Sequence, residues 1–524
     1  MTLKKFDFIP ARSSVAVTST NDWYASINTS SGSPFDAFYM PTASEDHVTL
    51  TNSNVTFAMD EIVNNIQLKC PNTTTWNGSS WSNGLPNEDT QVVFTGNYTS
   101  SSDIDACSIT INGNTIVEFL PTHDLTVRGG INIATTAQLV MNDDANIYQI
   151  EEISNSGKAQ MKRNITTKRL NYTAWSSPVA NQNLKAFSPG TLDNRFYEYI
   201  PTGTTTPTAY NSVDPNANNF TVAKGYMIRA GNATPSTLTS WTGSFLGTPQ
   251  NGRINPNTIN GGVNLGYNLV GNPYPSPINI QELIEGNINT IDGTLYFWTN
   301  TNDPSGGIYP LNNFATRNLT GGTAAVNGSV IPDTFVQTGQ GFYVNSLATG
   351  PMYFTNSMRN KISNNQFINK IAATNKETSI DNDKFWLNLK QGESPQNEIL
   401  VGYVQNATNE VDFGYDGKLF NNGSASISSL IKNEEFVIQG RSFPFDSEDK
   451  ISLGFKTNTK GMFTISLSKT EGTFSNEQAI YLKDKLTGSI TNLKDLNYSF
   501  IANEGVDNTR FEIVYKKATP NSTV

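Results

Sequence analysis

Paired aspartates are the residues of this chain whose type and spacing come closest to a catalytic pattern. Four pairs stand in turn-rich stretches: Asp103/Asp105, Asp143/Asp144, Asp381/Asp383 and Asp412/Asp416. Two carboxyl groups held about 5 to 9 Å apart across a cleft could hydrolyse a glycosidic bond. Because aspartate is common in turns, where it makes local hydrogen bonds, a structural role is favoured for all four pairs. We therefore predict no catalytic residues and no enzyme activity.

Grouped carboxylates could also bind calcium, which takes about six to eight oxygen ligands. Asp303 and the pair Asp412/Asp416 are the candidates, although no stretch matches the EF-hand loop or the calcium-binding nonapeptide. A phosphate-binding loop is not expected, because Gly261-Gly262 and Gly321-Gly322 lack the helix and the lysine that such a loop requires. No cofactor is predicted, and calcium at a turn stays an alternative.

The chain contains two histidines, His47 and His123. General acid–base chemistry would therefore have to rest on carboxylates. His123 is followed by Asp124, but no nearby serine or cysteine has the context of a nucleophile elbow. This dipeptide is predicted to be a surface turn.

Trp76 and Trp81 are the candidate ligand-binding residues, because they lie in a polar, turn-rich stretch and exposed indole rings can stack on sugars. An alternative explains them equally well: they would cover the open end of a β-solenoid. Core packing is favoured for three tryptophans in apolar strand patterns, Trp175, Trp298 and Trp386.

Cys70 and Cys107 are the two cysteines of the chain, and the residues beside each have a strand pattern. In an exported protein the two would form a disulfide. The alternative is two separate buried thiols. A zinc site is not expected from two cysteines and two histidines.

The composition indicates a β-rich chain that does not bind nucleic acid. Of its 524 residues, 36% are hydrophobic and 15% charged, and Asn, Thr, Ser and Gly make up the difference. Those residue types favour turns and strand surfaces. The net charge of −10 and the lack of a basic cluster disfavour a phosphate backbone as partner. No run approaches the roughly 20 apolar residues of a membrane span.

Short strands at even spacing predict a β-solenoid over residues 71–164, after a tail of an upstream β module over residues 1–70. Apolar i, i+2 pairs recur about every eight residues, separated by turn signals. The pairs are Ile109/Ile111, Val117/Phe119, Leu125/Val127, Ile131/Ile133, Leu139/Met141 and Tyr148/Ile150. A chain of tight hairpins is the alternative.

Residues 165–358 are predicted to form a jelly-roll-like β-sandwich of two related halves. A strand ending in Gly271-Asn272-Pro273 anchors this region, and residues 339–345 are its expected partner strand. Similar stretches recur in the two halves, although their spacings differ: 175–179 and 271–275, 196–199 and 295–298, 225–229 and 341–345. Residues 280–284 are predicted to form a short helix.

The remainder is predicted to be a linker over residues 359–380, an immunoglobulin-like sandwich over 381–516 and a tether over 517–524. Eight alternating apolar segments within about 130 residues are typical of such a sandwich. The start of the chain is basic but lacks the apolar segment of a signal peptide. We expect a mature or truncated portion of a longer protein rather than a cytoplasmic chain.

Several stretches between residues 70 and 516 resemble surface adhesins of gliding Bacteroidetes-type bacteria that are exported by type IX secretion. They are TWNGSSWSNG (75–84), AWSSPV (174–179), NLVGNPYP (268–275), GQGF (339–342), DFGYDGK (412–418), VIQGR (437–441), IYLKD (480–484) and TRFEIVY (509–515). The family's signal peptide and sorting domain are not found. The resemblance implies that Val524 is a processed end near the position where a sorting domain would begin.

The resemblance implies export and display at the cell surface. Its expected partners are the type IX translocon, the surface-attachment machinery and extracellular polysaccharide. The sequence therefore favours a non-enzymatic adhesin or stalk region that serves attachment or gliding. The alternative is a carbohydrate-binding accessory region of a secreted hydrolase. Selective glycan binding that depends on Trp76 and Trp81 would favour the alternative.

Overall fold

The chain is almost entirely β, with 49% of residues in strands and 5% in helices, which confirms the predicted fold class. The computed structural model describes residues 70–201, 210–262, 265–300, 303–305, 309, 313–326, 330–361, 383–420 and 423–516, and the backbone of 49–51 and 54–56. The chain divides into two units, Met1–Lys69 and Cys70–Val524. In the first unit, β1 (Thr49–Thr51) and β2 (Asn54–Thr56) pair antiparallel. Apart from Cys70, the other residues of the predicted upstream module, His47 among them, and the predicted tether with Val524 lie outside the described residues.

A parallel β-solenoid opens the second unit. Its strands are β3 (Asn72–Trp76), β4 (Thr90–Phe94), β5 (Tyr98–Thr99), β6 (Ile104–Ala106), β7 (Ser108–Ile111), β8 (Ile116–Phe119), β9 (Leu125–Val127), β10 (Ile131–Ile133), β11 (Gln138–Met141), β12 (Ile147–Gln149) and β13 (Ala159–Thr167). They form three sheets in the orders β3-β4-β7-β10, β5-β8-β11-β13 and β6-β9-β12.

Each coil of the solenoid is 22 residues long where its register is regular. Ile109 lies beside Ile131, Val117 beside Leu139 and Leu125 beside Ile147, all in parallel pairs. Apolar side chains of successive coils therefore stack in columns, and the i, i+2 apolar pairs fill the interior of the solenoid. The parallel pairing confirms the solenoid over the alternative of tight hairpins.

Strand β13 joins the solenoid to the next module within one sheet. It pairs parallel with β11 on one side and antiparallel with β19 (Thr239–Pro249) on the other. Alternate residues of β13 are buried, so it has one face on the core along its whole length. The predicted boundary between residues 164 and 165 lies inside this strand.

The middle module consists of short strands and two short helices. Its further elements are β14 (Tyr172–Trp175), β15 (Val179–Ala180), α1 (Leu184–Phe187), β16 (Phe196–Tyr199), β17 (Tyr210–Ser212), β18 (Tyr226–Arg229), β20 (Asn257–Thr258), β21 (Tyr267–Gly271), β22 (Ile278–Asn279), α2 (Ile280–Glu285), β23 (Ile291–Trp298), β24 (Phe314–Arg317), β25 (Gly322–Thr323), β26 (Phe335–Val336), β27 (Gly341–Ser346) and β28 (Gly350–Pro351). Short 3-10 turns occupy Asp193–Arg195 and Asn356–Met358. The predicted helix over 280–284 is α2.

Two sheets of the middle module have the same strand order. The first runs β14-β18-β16-β17 and the second β21-β27-β23-β24-β25. In each half a short helix follows the first strand, and an asparagine caps it: Asn183 accepts from the Ala186 amide and Asn279 from the Glu282 amide. The expected partner of β21 is β27, with Leu269 opposite Tyr343. The recurring sequence stretches thus occupy equivalent strands.

At the end of its first strand, each half of the middle module donates a backbone hydrogen bond to the other half, and we call this arrangement the reciprocal crossing. Ser176 N donates to Gly339 O at 2.9 Å, and Gly271 N donates to Ala223 O at 3.0 Å. A Cβ atom on Gly271 would lie 2.2 Å from the Ser176 Cβ. This close approach requires glycine at the position where the sequence motif places it.

The terminal module is one long sheet. Its strands are β29 (Asp383–Gln391), β30 (Ser394–Val404), β31 (Gly417–Lys418), β32 (Ala425–Ile431), β33 (Glu434–Ser442), β34 (Lys450–Thr457), β35 (Gly461–Glu471), β36 (Tyr481–Asp484), β37 (Ser489–Asn492), β38 (Tyr498–Ala502) and β39 (Gly505–Val514), with a 3-10 turn at Gly472–Ser475. The order is β37-β36-β39-β34-β32-β33-β30-β29-β35-β38, and β31 pairs with β33. All eight expected strands are present. Unlike the antiparallel sheets of an immunoglobulin sandwich, this one contains a parallel pair, β30 and β33.

Candidate functional site

The disulfide predicted between Cys70 and Cys107 is present, with an Sγ–Sγ distance of 2.09 Å. Cys70 lies just before β3, and Cys107 lies at the corner between β6 and β7. Cys107 is fully buried in the solenoid. The bond therefore fastens the first coil to the second, and the alternative of two separate thiols is wrong.

Trp76 and Trp81 pack on each other and on the first coil. Their ring centroids are 5.2 Å apart, and Trp76 lies 5.2 Å from Tyr98 while Trp81 lies 5.6 Å from Phe94. The Trp76 indole N–H donates to Asn97 O at 2.8 Å. Both rings are half-buried against the solenoid core, an arrangement that supports the covering role. Sugar binding by these two residues stays a prediction.

The acids of the solenoid form a ladder along one corner. Asp103 Oδ1 accepts from the Asp124 amide at 2.9 Å, and Asp124 Oδ1 accepts from the amide and the side chain of Asn146 at 2.9 and 3.0 Å. Burial raises the pKa of Asp124 to about 6, although its hydrogen bonds oppose the shift. The ladder holds successive coils in register, a structural role for these carboxylates.

His123 has a serine partner that the sequence analysis missed. Its Nδ1 lies 2.8 Å from the hydroxyl of Ser100, one coil away. Ser100 is 2% exposed and its oxygen already accepts from the Leu120 amide at 2.9 Å. A nucleophile must be accessible to its substrate. The buried Ser100 hydroxyl therefore fits a structural hydrogen bond between two coils better than a catalytic dyad. The separation of 23 residues between Ser100 and His123, close to the length of one coil, is the sequence signal for this contact.

The carboxylates proposed for calcium bind backbone amides. Asp416 Oδ1 accepts from the Gly440 amide at 2.8 Å and its Oδ2 from the Asp412 amide at 2.6 Å. Asp412 in turn accepts from the Thr408 hydroxyl at 2.8 Å, and Asp303 pairs with a lysine. Burial raises the pKa of Asp416 to about 7.

Other aspartates of the four pairs accept hydrogen bonds from distant residues, pair with a lysine or lie outside the described residues. Asp143 Oδ1 accepts from the Asn164 amide at 2.8 Å, and Asp383 Oδ1 from the Thr473 amide at 2.6 Å. Asp105 pairs with a lysine at 3.5 Å, and Asp381 is not among the described residues. Within the described ranges, no three His, Cys, Asp or Glu side chains are grouped so that they could hold a metal ion.

The stretch GNPYPSP (residues 271–277) forms a buried junction between the solenoid and the middle module, called here the GNPYPSP junction. Pro275 O accepts from the Ile147 amide of β12 at 2.8 Å. Arg359 donates to Ile147 O at 2.6 Å and to the Ser276 hydroxyl at 2.8 Å, and its guanidinium lies 4.9 Å from the centre of the Tyr274 ring. Burial lowers the pKa of Arg359 to about 10. Arg359 was assigned to the linker, but it is 3% exposed and belongs to this junction.

A second junction joins the middle and terminal modules. Leu319 N donates to Gly414 O at 2.8 Å, and the Trp386 indole donates to Gly322 O at 2.8 Å. A Cβ on Gly293 would lie 2.5 Å from the Gly414 Cα, so the two backbones touch. These contacts hold the middle and terminal modules together, whereas residues 362–380 of the predicted linker lie outside the described residues.

A shallow cleft lies at the second junction. Its walls include Tyr296, Phe314, Phe420 and Glu398. Glu398 accepts from the Ser468 hydroxyl at 2.9 Å and from the Ala324 amide at 3.2 Å, and burial raises its pKa. One carboxyl group whose oxygens already have partners does not supply the second acid that glycoside hydrolysis requires.

Comparison with known proteins assigns the chain to a family. Residues 69–515 match the family model described as a domain of unknown function (DUF8693), and because the match covers most of the sequence, the chain belongs to this family. Neither the curated proteins nor the solved structures gave a match. Along the described residues, no helix has the length and apolar character needed to cross a bilayer.

Proposed function

We propose that this chain is a non-enzymatic region of an exported cell-surface adhesin that serves attachment or gliding. The observation that carries the proposal is the continuity of the structure from the solenoid to the terminal sheet. Strand β13 belongs to both the solenoid and the middle sandwich, and two buried junctions connect the modules. A body of this kind transmits tension through the backbone hydrogen bonds and packed junctions between its modules.

Two further observations support the proposal. The Cys70–Cys107 disulfide suits an oxidising compartment outside the cytosol. The aspartates with the most catalytic spacing, such as Asp103 and Asp416, accept hydrogen bonds that stabilise corners and turns. Their oxygens are used for structure, which fits a binding or supporting role.

The partners that we propose follow from the family resemblance of the sequence. The type IX translocon would export the chain, and the surface-attachment machinery would hold it at the cell surface. An extracellular polysaccharide is the proposed ligand class. The accessory region of a secreted hydrolase is the second candidate, and it shares the carbohydrate ligand with the first.

Surface display is tested by an epitope inserted at Gly392, in the hairpin turn between β29 and β30. A Cβ at this glycine would meet no atom within 4 Å, so the turn has room for an insertion. Intact cells of the native host should bind an impermeant antibody, and a strain without the translocon should not. Deletion of the gene should reduce attachment or gliding. An epitope detected only after cell lysis would contradict the proposal.

A further inference from the structure

Two arginines lie beside three tyrosines at one edge of the aromatic layer between the two middle sheets. This arginine–tyrosine cluster consists of Arg195, Arg229, Tyr172, Tyr197 and Tyr309. Tyr172 and Arg229 are directly opposite each other on β14 and β18, so they share a face of the sheet. The Tyr172 ring lies 5.9 Å from Tyr197 and 5.2 Å from Tyr309, and Arg195 donates to the Tyr197 hydroxyl at 3.2 Å.

Among the described residues, Arg229 lacks the partners that a buried guanidinium normally has. It is 8% exposed, it donates to Asn232 Oδ1 at 3.3 Å, and its Nε has no hydrogen-bond partner. Other buried arginines among the described residues have such partners: Arg441 donates to Asp449 Oδ2 at 2.9 Å, and Arg359 donates to several carbonyl and side-chain oxygens. A buried charge without a partner is costly, so this one indicates a ligand.

The acids nearest to Arg195 and Tyr197 in the sequence already pair with lysines: Asp193 with Lys185 at 2.7 Å and Glu198 with Lys224 at 2.5 Å. Asp303 is the acid whose charge reaches Tyr309, and it pairs with Lys168 at 2.5 Å. The sequence segments that adjoin the cluster residues, 202–209, 301–302, 306–308 and 310–312, contain no aspartate or glutamate. The two guanidinium groups therefore leave an excess of positive charge beside half-buried tyrosine rings.

We propose that the arginine–tyrosine cluster binds a carboxylate-bearing sugar of an acidic polysaccharide. Guanidinium groups bind a carboxylate through paired hydrogen bonds, and tyrosine rings stack on the apolar face of a pyranose while their hydroxyls bond to its oxygens. The chain's net charge of −10 opposes the binding of any polyanion, so the local positive charge of the two arginines must supply the attraction for the carboxylate. This proposal depends on the proposed function in one respect: it takes the chain to be a binding protein.

The test is calorimetric titration of the purified chain with β-1,4-linked triglucuronate and with cellotriose. The two sugars differ at C6, so their comparison isolates the carboxylate. Triglucuronate should bind, cellotriose should bind at least tenfold more weakly, and added salt should weaken the triglucuronate complex. Arg195→Gln and Arg229→Gln should each weaken it at least tenfold. Arg253→Gln is the matched control, because Arg253 stacks on Tyr353 elsewhere in the module.

Two results would overturn the proposal: no heat of binding for triglucuronate at millimolar concentration, or affinities that neither substitution changes. If Arg229→Gln fails to fold, Arg195→Gln alone decides, because Arg195 is half-buried at the rim. The surface-display experiment does not involve these residues. A chain that binds triglucuronate but is absent from the cell surface would refute the proposed function and leave this site in place.

Discussion

Three buried aspartates make the stability of this protein depend on pH. Burial raises the pKa of Asp124 and of Asp292 to about 6 and that of Asp416 to about 7. An aspartate of the unfolded chain titrates near about 3.9. The folded state therefore favours the protonated acids, and their contribution to stability is full below about pH 4 and is lost as the pH rises through about 6 to 7.

Asp292→Asn should flatten this pH dependence. Asp292 is 4% exposed and accepts from the Thr294 amide at 3.0 Å and from Asn345 Nδ2 at 2.9 Å. The Asn345 amide can turn so that its oxygen accepts from the new Asn side chain. Between pH 5 and pH 8 the unfolding free energy of the wild type should fall by about 1 kcal/mol more than that of the variant, as measured by urea denaturation. The exposed Glu477→Gln is the control, and an unchanged slope for D292N would contradict the assignment.

The Asp484–Arg510 pair has the opposite pH response. Burial alone would raise the pKa of Asp484, but hydrogen bonds from Arg510 and from Tyr498 lower it to about 2. The contribution of this pair is present above about pH 4 and is lost as the pH falls towards 2. Asp484 lies on β36, Arg510 on β39 and Tyr498 on β38, so one carboxylate joins both ends of the terminal sheet.

Asp484→Asn should lower the unfolding free energy by about 3 to 5 kcal/mol, because it leaves the Arg510 guanidinium, whose side chain is 9% exposed, without its carboxylate partner. Lys483→Ala is the matched control on the same strand. The Lys483 side chain is 42% exposed and lies 3.9 Å from Glu512, so its removal should cost less than about 1 kcal/mol. Equal losses for the two variants, measured by chemical denaturation, would argue against the closing role of Asp484.

Much of what single residues do was predictable, and the failures have physical causes. The structural role of the turn aspartates and the covering alternative for Trp76 follow from local sequence. The Ser100–His123 bond and the burial of Arg359 do not, since each depends on a partner from another coil or module. Arg229 looked like an ordinary strand residue, because nothing local shows that a guanidinium lacks an acid.

The disulfide determines how firmly the first coil is held, an effect at the scale of an element. Its two cysteines are 37 residues apart, and closing a loop of that length in the unfolded chain is worth about 4 kcal/mol in the chain-entropy model. The Cys70→Ser/Cys107→Ser double variant should lose stability of that order and should be cleaved first near Trp76 and Trp81 in limited proteolysis. Wild-type protein with reductant should match the variant. Equal proteolysis of oxidised wild type and variant would contradict this account.

Gly271 tests the reciprocal crossing of the two halves. Gly271→Ala should destabilise by about 1 to 3 kcal/mol or more, because the added methyl group overlaps Ser176. Ser176→Gly in the same chain should recover part of the loss by removing the overlapping atoms. Gly350→Ala is the control, since its Cβ would meet nothing within 4 Å. Additive effects of G271A and S176G in a double-mutant cycle would show that the two residues do not meet.

Strand existence was predictable from alternation, while strand pairing was not. All eight expected terminal strands exist, but β32 (Ala425–Ile431) was missed because its buried serines obscure the apolar pattern. Parallel pairing of β30 with β33 depends on contacts between distant segments, which no local pattern encodes. The solenoid was easier, because its 22-residue coil repeats in the sequence.

At the scale of the whole molecule, the modules are more closely joined than their sequence suggests. The polar stretch after residue 358 indicated a linker, yet Arg359 and the Gly293–Gly414 contact belong to packed junctions. Related halves were predicted from recurring stretches, but their reciprocal crossing depends on geometry alone. Residues 70–516 therefore form a body whose parts support one another, as the proposed surface role requires.

Pulling on the two ends of residues 70–516 in an optical trap tests this continuity most directly. If β13 and the GNPYPSP junction couple the solenoid to the middle sandwich, the two should unfold together. A single extension on the order of 1,000 Å is expected for residues 70–361 at roughly 3.6 Å per residue. A separate early extension of roughly 200 Å, the length of the solenoid beyond the loop that the Cys70–Cys107 disulfide holds closed, would contradict the account.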